Sequence, residues 1–257
     1  MKRNIKLIIE YDGTEFCGWQ KQLNDRTVQE EVERSLSLLT GESVKTIAAG
    51  RTDSGVHARG QVVNIKTESQ LPISAFIRGG NSRLPGDVRI VSAESVDEDF
   101  NARYSAVRRY YRYYISKRQR AVDRQYSWYY WSELNVHTMQ KAAQYILGSQ
   151  DFKSFCQKNA LVEHYICEVY KARWLQFDEY ICFEICANRF LHNMVRTLVG
   201  TMVEIGAGKM LPERMQDVLS ARDRACAGST APALGLFLEK VDYDASKLNL
   251  SKPSTRV

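Results

Sequence analysis

The sequence lacks long hydrophobic runs. Its apolar stretches, such as Leu7-Ile8-Ile9, extend over only a few residues, whereas a membrane-spanning helix needs about 20. The first residues, Met1-Lys2-Arg3-Asn4-Ile5, lead directly into a strand-like pattern and lack the apolar core of a signal peptide. We therefore expect a cytoplasmic protein that makes no contact with a membrane.

The sequence also lacks the motifs of several common classes of enzyme. Its six cysteines form no C-x-x-C pair and its four histidines are scattered, so it predicts neither a disulfide framework nor a metal site. It contains no G-x-x-x-x-G-K-[ST], G-x-G-x-x-G, H-E-x-x-H or G-x-S-x-G motif. We therefore expect no metal, no nucleotide and no other cofactor.

Positive charge is concentrated in one segment of the chain, residues 103–124. The net charge of the whole chain is +6, and this segment holds eight basic residues against one acid, with five interleaved tyrosines. Lysine and arginine suit phosphates, and tyrosine rings stack on unpaired bases. The segment therefore favours nucleic-acid binding. The alternative is a solvated pair of strands whose tyrosines enter the core.

Hydrophobic periodicity predicts strands and helices without regular βαβ spacing. The predicted strands are Ile5–Tyr11, Thr46–Ala49, Gln61–Ile65, Asp87–Val91, Arg109–Ile115, Val169–Leu175, Tyr180–Cys186 and Leu236–Tyr243. The predicted helices run from a capping box at Thr27 to Gly41, over Ile73–Arg78 until Gly79-Gly80, over His137–Leu147, over Leu191–Gly206, and after Pro212. This pattern predicts an α+β fold with two mixed α/β halves, residues 1–102 and 103–257, whose sheets are mainly antiparallel.

A polar loop from Gly50 to Gly60 separates two predicted strands. Asp53 lies two residues from Arg51, and a nearby guanidinium favours an ionised carboxylate, as a nucleophile requires. Alternatively, Asp53 caps its own turn, which is a frequent role of aspartate. The residues alone leave both interpretations open.

One arginine, Arg196, lies on an otherwise apolar helix face. A half-buried arginine needs an anionic partner because an unpaired buried charge is costly. Asp53, Glu184 and Glu204 are equally suitable partners on the sequence alone.

Motifs along nearly the whole chain resemble those of the TruA family of tRNA pseudouridine synthases. They are Tyr11-Asp12-Gly13-Thr14, Gly18-Trp19-Gln20, Thr27-Val28-Gln29, Gly50-Arg51-Thr52-Asp53-Ser54-Gly55-Val56-His57-Ala58, Asp99-Phe100-Asn101-Ala102-Arg103, Arg109-Tyr110-Tyr111-Arg112-Tyr113, Phe190-Leu191, Met194-Val195-Arg196, Val199-Gly200, Thr230-Ala231-Pro232-Ala233 and Gly235-Leu236. The resemblance implies the pseudouridine-synthase fold, in which the two halves flank a central active-site cleft. It also implies a homodimer without metal or organic cofactor.

The resemblance further implies a role for each of four residues. Asp53 falls on the catalytic aspartate, and Arg51 on an arginine that helps to displace the target base. Tyr111 falls on the tyrosine that packs on the uracil, and Arg196 on the arginine that pairs with the catalytic carboxylate. The implied substrates are the uridines at positions 38, 39 and 40 of the tRNA anticodon stem-loop.

The implied reaction converts uridine to pseudouridine after the base is flipped out of the stem. Asp53 would attack either C6 of the base or C1′ of the sugar, and the sequence leaves both routes open. The alternative function is a structured-RNA-binding or tRNA-folding protein without turnover. It would explain the basic, tyrosine-rich segment equally well, but not the Asp53 loop or Arg196.

The chain departs from the family pattern at a few positions. Ser54 replaces a common alanine, and Gly79-Gly80-Asn81 stands where Gly-Leu-Asn is usual. Arg189 and His192 stand where glycine and tyrosine are common, and His164-Tyr165-Ile166 stands where Arg-Thr-Ile is expected. None of these departures involves the four residues with an implied role.

Overall fold

Antiparallel strand pairing organises the structure. The structure is a computed structural model that describes residues 2–157 and 163–243. Within those residues the strands are β1 (Arg3–Tyr11), β2 (Thr46–Ala48), β3 (His57–Thr67), β4 (Val88–Val96), β5 (Arg108–Ser116), β6 (Trp128–Tyr129), β7 (Gly148–Asp151), β8 (Ile166–Gln176), β9 (Tyr180–Ala187) and β10 (Leu236–Asp242). The α-helices are α1 (Val28–Thr40), α2 (Ile73–Asn81), α3 (Val136–Gln144), α4 (Met194–Gly206) and α5 (Arg214–Ala221).

All of these strands belong to one sheet of order β4-β1-β3-β10-β5-β9-β8-β7, with β2 paired to β3 and β6 paired to β5. The pairs β3–β10 and β5–β6 are parallel, and the other pairs are antiparallel. The mixed architecture and the mainly antiparallel pairing confirm the predicted fold class.

Strand β10, close to the end of the chain, occupies the centre of the sheet. It pairs with β3 on one side and with β5 on the other, so the sheet continues without a break from the strands of residues 1–102 to those of residues 103–257. The division of the chain into two halves at that point stays a prediction.

The core forms where alternating strand residues meet the helices. In β1, Ile5, Leu7 and Ile9 are fully buried, as the alternation predicts. Helix α4 is buried along almost its whole length, and α3 packs between α4 and β8. This burial fixes the position of α4 in the fold, which matters because α4 carries Arg196.

The capping box predicted at Thr27 does not form. Helix α1 begins at Val28 as expected, but the Thr27 side chain makes no capping hydrogen bond and its buried Oγ1 has no partner in the described residues. The carbonyls of Gly18 and Trp19 accept from the amides of Val28 and Gln29 instead. Tertiary contacts therefore supply the acceptors that the sequence assigns to a side chain.

The glycine pair at residues 79–80 does not end helix α2, contrary to prediction. A Cβ atom at Gly79 would lie 2.6 Å from Leu39 Cδ1, and one at Gly80 would lie 2.5 Å from Ile90 Cδ1. The glycines therefore allow α2 to pack directly against α1 and β4. The helix continues to Asn81 because this packing outweighs the low helix propensity of glycine.

Strand β3 begins within the predicted Gly50–Gly60 loop. His57 and Ala58 pair with Phe237 and Leu238 of β10, so the polar loop ends before His57. The sequence does not predict this start, because the pairing partner is about 180 residues further along the chain.

Candidate active site

Asp53 lies in the loop between β2 and β3, and its backbone is held in place from several sides. The amide of Trp19 donates to the Thr52 carbonyl at 3.1 Å, and the amide of Gly55 donates to the Phe16 carbonyl at 3.2 Å. A backbone hydrogen bond from Val56 to Asp53 closes the turn. In the described residues the Asp53 side chain makes no hydrogen bond to its own turn, so the turn-capping interpretation does not apply.

The carboxylate of Asp53 instead faces two basic side chains. Its Oδ2 lies 3.2 Å from Nη1 of Arg196, and its Oδ1 lies 3.3 Å from Nε2 of His192. The Asp53 side chain keeps 21% of its surface exposed. It is therefore close to positive charge and still open to a reactant.

Arg196 is fixed by contacts on both sides of its guanidinium. Its Nε donates to the Ala231 carbonyl at 2.8 Å, and its Nη1 donates to Asn193 Oδ1 at 3.0 Å as well as to Asp53. A Cβ atom at Gly200 would lie 1.7 Å from the Ser229 carbonyl oxygen. Only glycine at that position lets residues 228–231, including the Ala231 acceptor, lie this close to α4.

The other two suggested partners of Arg196 are used elsewhere. Glu184 forms ion pairs with Arg112, Lys171 and Arg173, which hold the pKa of its carboxyl at about 2 despite an opposing effect of burial. Glu204 accepts hydrogen bonds from the backbone and hydroxyl of Ser229. Of the three carboxylates, the structure therefore pairs Arg196 with Asp53.

Tyr111 lies in β5 next to this ion pair, and its side chain is buried. Its ring packs edge-on against that of Phe190, with centroids 5.0 Å apart and planes at 82°. Burial raises the pKa of the Tyr111 phenol, and Tyr11 and Asp53 raise it further. The hydroxyl therefore stays protonated at neutral pH. No hydrogen-bond partner for it occurs among the residues that the structure describes.

Arg51 is exposed at the start of the same loop. It forms no ion pair with Asp53 or with any other carboxylate in residues 2–157 and 163–243. Among the arginines, Arg196 and not Arg51 therefore supplies the guanidinium beside Asp53, which corrects the interpretation drawn from their spacing. Arg51 remains free to contact a ligand at the mouth of the site.

The contact of His192 with Asp53 was missed by reasoning from the sequence. The sequence marks His192 only as a departure from the family pattern. Its position four residues before Arg196 is the one available signal, because the predicted helix Leu191–Gly206 would place both side chains on one face. In the structure His192 instead lies in the turn before α4, which begins at Met194.

The basic segment 103–124 is not a continuous nucleic-acid surface. Arg112 pairs with Glu184, and Arg118 and Arg120 pair with Glu179. The Tyr113 ring is fully buried and its hydroxyl donates to the Pro232 carbonyl. Much of the charge and aromatic surface therefore stabilises the fold, and the solvated-strand alternative accounts for part of the segment.

In the described residues, no group of three or more histidine, cysteine, aspartate or glutamate side chains is arranged to hold a metal ion. None of the helices in residues 2–157 and 163–243 is long and apolar enough to cross a bilayer.

Comparison with known proteins gives one consistent family. The family model described as tRNA pseudouridine synthase matches residues 7–105 and 142–244. The tRNA pseudouridine synthase A of Caldicellulosiruptor bescii is 45% identical over 243 residues, covering 94% of this chain and all of that protein. The enzymes of the same name from Moorella thermoacetica and Bacillus pumilus are 44% and 42% identical over 244 residues, covering 93% of this chain and 99% of each relative.

These matches confirm the resemblance based on the motifs, and they confirm the expected class of enzyme, an isomerase. A family model that covers most of the chain and relatives above 40% identity lead to one conclusion: the chain belongs to the tRNA pseudouridine synthase family.

Proposed function

We propose that this protein converts uridine to pseudouridine at positions 38, 39 and 40 of the tRNA anticodon stem-loop, with Asp53 as the nucleophile. The observation that carries the proposal is the pairing of the Asp53 carboxylate with Arg196 beside the buried ring of Tyr111. The family and the names of the relatives support tRNA as the substrate.

The reaction breaks the C1′–N1 bond of uridine and joins C1′ to C5, so that the proton on C5 is lost and N1 gains one. Substrate and product are isomers, and the balance requires no oxidant, reductant or energy source. Asp53 attacks C6 or C1′ and is released when the new bond is complete. Arg196 pairs with the carboxylate and aims it, because its planar guanidinium is fixed by Ala231 and Asn193.

Tyr111 offers the flipped uracil an aromatic surface at the base of the site. Its hydroxyl is protonated, so it takes the C5 proton only while passing its own proton on. We propose this relay as its second role. Phe190 holds the Tyr111 ring in one orientation through their edge-on contact.

A base that is stacked inside the stem cannot reach the half-buried carboxylate of Asp53. The target nucleotide must therefore leave the stem. Extrusion of a base costs a few kcal/mol, which contacts in the pocket must offset. Arg51 is exposed two residues from Asp53, and we propose that its side chain fills the space that the uridine vacates.

The resemblance also supports a homodimer that acts in the cytoplasm, with residues 1–102 and 103–257 as the two halves around the cleft. Light scattering of the purified protein tests the dimer: a mass twice 29.5 kDa is expected, and a monomeric mass would contradict it.

Release of tritium from tRNA labelled at C5 of uridine tests the activity. Transcripts with uridine at only one of the three positions identify the target, and a transcript with cytidine at all three is the control. Release from the first set and none from the control supports the proposal. Tight binding without release would support the RNA-binding alternative.

A further inference from the structure

The guanidinium of Arg109 donates to four backbone carbonyls in three segments of the chain near the candidate site. Its Nη1 donates to the carbonyls of Ala106 at 3.0 Å and Asn188 at 2.6 Å. Its Nη2 donates to the carbonyls of Ala49 and Arg103, both at 2.9 Å. The guanidinium of Arg109 therefore stabilises the fold and is not available to bind RNA.

Two of these four carbonyls bring further arginines close to Arg109. One acceptor is the backbone carbonyl of Arg103, and another is that of Asn188, which directly precedes Arg189. In the part of the chain that the structure describes, none of the three arginines forms an ion pair with a carboxylate. Burial lowers the pKa of Arg109, Tyr111 and Tyr243 oppose this shift, and the charges of Arg189 and Arg103 add to it. The cluster therefore carries positive charge that no described acid balances.

Arg189 also faces a second basic side chain. Its Nη1 lies 3.2 Å from Nε2 of His164, on the segment that leads into β8. The guanidinium can only donate, so His164 accepts this bond. The other Arg189 donors make no hydrogen bond within the described residues. Arg189 is half-buried, whereas Arg103 and His164 are exposed.

The cluster borders the Asp53 site. Arg189 adjoins Phe190, which packs on Tyr111, and lies three residues before His192, which contacts Asp53. We propose that Arg103, Arg189 and His164 bind the phosphate backbone of the RNA strand that carries the target uridine. This inference rests on the proposed function, since it assumes that an RNA strand enters the site.

The chemistry of the cluster favours a phosphodiester as its ligand. Arginine presents paired donors that match phosphate oxygens, and a phosphate would neutralise charge that is otherwise unbalanced.

The salt dependence of tRNA binding tests the proposal. The dissociation constant of a tRNA transcript is measured between about 50 and 200 mM salt for the wild type, Arg189→Gln, Arg189→Lys and Arg83→Gln. We expect Arg189→Gln to weaken binding and to flatten the slope of log K against log salt by about 0.7 to 0.9, the loss of one phosphate contact. Arg189→Lys should retain most of the slope.

Arg83→Gln is the matched control because Arg83 is exposed and follows α2, on the side of the sheet where α2 packs against the outer strand β4. It removes the same charge away from the cluster. An unchanged slope for Arg189→Gln, or an equal change for Arg83→Gln, would overturn the proposal. Wild-type protein that binds tRNA without forming pseudouridine would overturn the proposed function instead, and the comparison of slopes would still stand.

Discussion

Arg196 and Asp53 are 143 residues apart in the sequence, and their side chains meet at 3.2 Å. Helix α4 supplies the arginine and the loop between β2 and β3 supplies the aspartate. The central strand β10 joins the strands on the two sides of this site. The pairing therefore depends on the assembly of the whole sheet and gives the carboxylate a fixed direction.

Replacing Arg196 by lysine should abolish most of the activity although the charge is kept. Lysine lacks the planar fork that bonds Ala231, Asn193 and Asp53 together, so the Asp53 carboxylate loses its fixed direction. We expect single-turnover pseudouridine formation to fall by about 100-fold, the effect of a misplacement of about 1 Å. Arg34→Lys on the surface of α1 is the control, and near-normal turnover by Arg196→Lys would exclude the positioning role.

The contributions of the Tyr111 ring and of its hydroxyl can be tested separately. Tyr111→Phe keeps the buried aromatic surface, whereas Tyr111→Ala removes it and should lower the free energy of unfolding by about 3 to 5 kcal/mol. If the hydroxyl relays the C5 proton, the Phe variant folds normally but forms little pseudouridine. Urea unfolding and tritium release, measured on the same preparations, separate the two effects. Efficient turnover by the Phe variant would rule out the relay.

Gly200 should not tolerate a side chain. Its Cβ would lie 1.7 Å from the Ser229 carbonyl oxygen, so Gly200→Ala must displace the segment that holds Arg196. We expect a loss of about 1 to 3 kcal/mol in the free energy of unfolding, typical of overpacking, together with reduced turnover. Gly86→Ala is the control, because nothing lies within 4 Å of its added Cβ. Equal stability of the two variants would contradict the close approach.

His57 should make stability depend on pH. Its Nδ1 accepts from the Gly13 amide at 3.0 Å, and its Nε2 lies 3.1 Å from the Gln125 carbonyl. Burial lowers the pKa of His57 below its ordinary 6.5, although Asp12 opposes the shift. Below that pH the unfolded chain binds more protons than the folded one, so the free energy of unfolding decreases as the pH falls through 6.5.

The wild type and His57→Gln are compared by urea unfolding at several pH values from about 8 down to 5.5, on either side of the ordinary histidine pKa. We expect the variant to be less stable than the wild type at the higher pH and to lose less stability on acidification. Parallel curves for the two proteins would show that His57 does not titrate in this way.

The sequence predicted those features that depend on neighbouring residues. The alternation of Ile5, Leu7 and Ile9 identified β1 and its buried face, because side chains alternate across a strand. The apolar surroundings of Arg196 predicted an anionic partner. They could not identify it, because Glu184 and Glu204 have the same charge and their own partners are known only from the tertiary structure.

Features that depend on distant residues could not be predicted in this way. The basic segment 103–124 shows its charge in the sequence, but the carboxylates that neutralise Arg112 and Arg118 lie on or next to β9. Likewise, the glycines of α2 favour a helix break locally, and only the packing against Leu39 and Ile90 explains why the helix continues. Tertiary contacts between residues far apart in the sequence decided both outcomes.

We expect Asp53 to perform the chemistry and not to hold the RNA. Asp53→Asn nearly preserves the size of the side chain and removes the charge that Arg196 faces. An anion does not attract a polyanion, so the affinity for tRNA should stay similar or rise slightly.

The decisive measurement is of pseudouridine formation and tRNA affinity for Asp53→Asn, made on one folded preparation at one salt concentration. We expect no detectable pseudouridine together with tRNA binding at least as tight as that of the wild type. Substantial turnover would contradict Asp53 as the nucleophile, and loss of binding together with activity would show that Asp53 serves mainly to shape its loop.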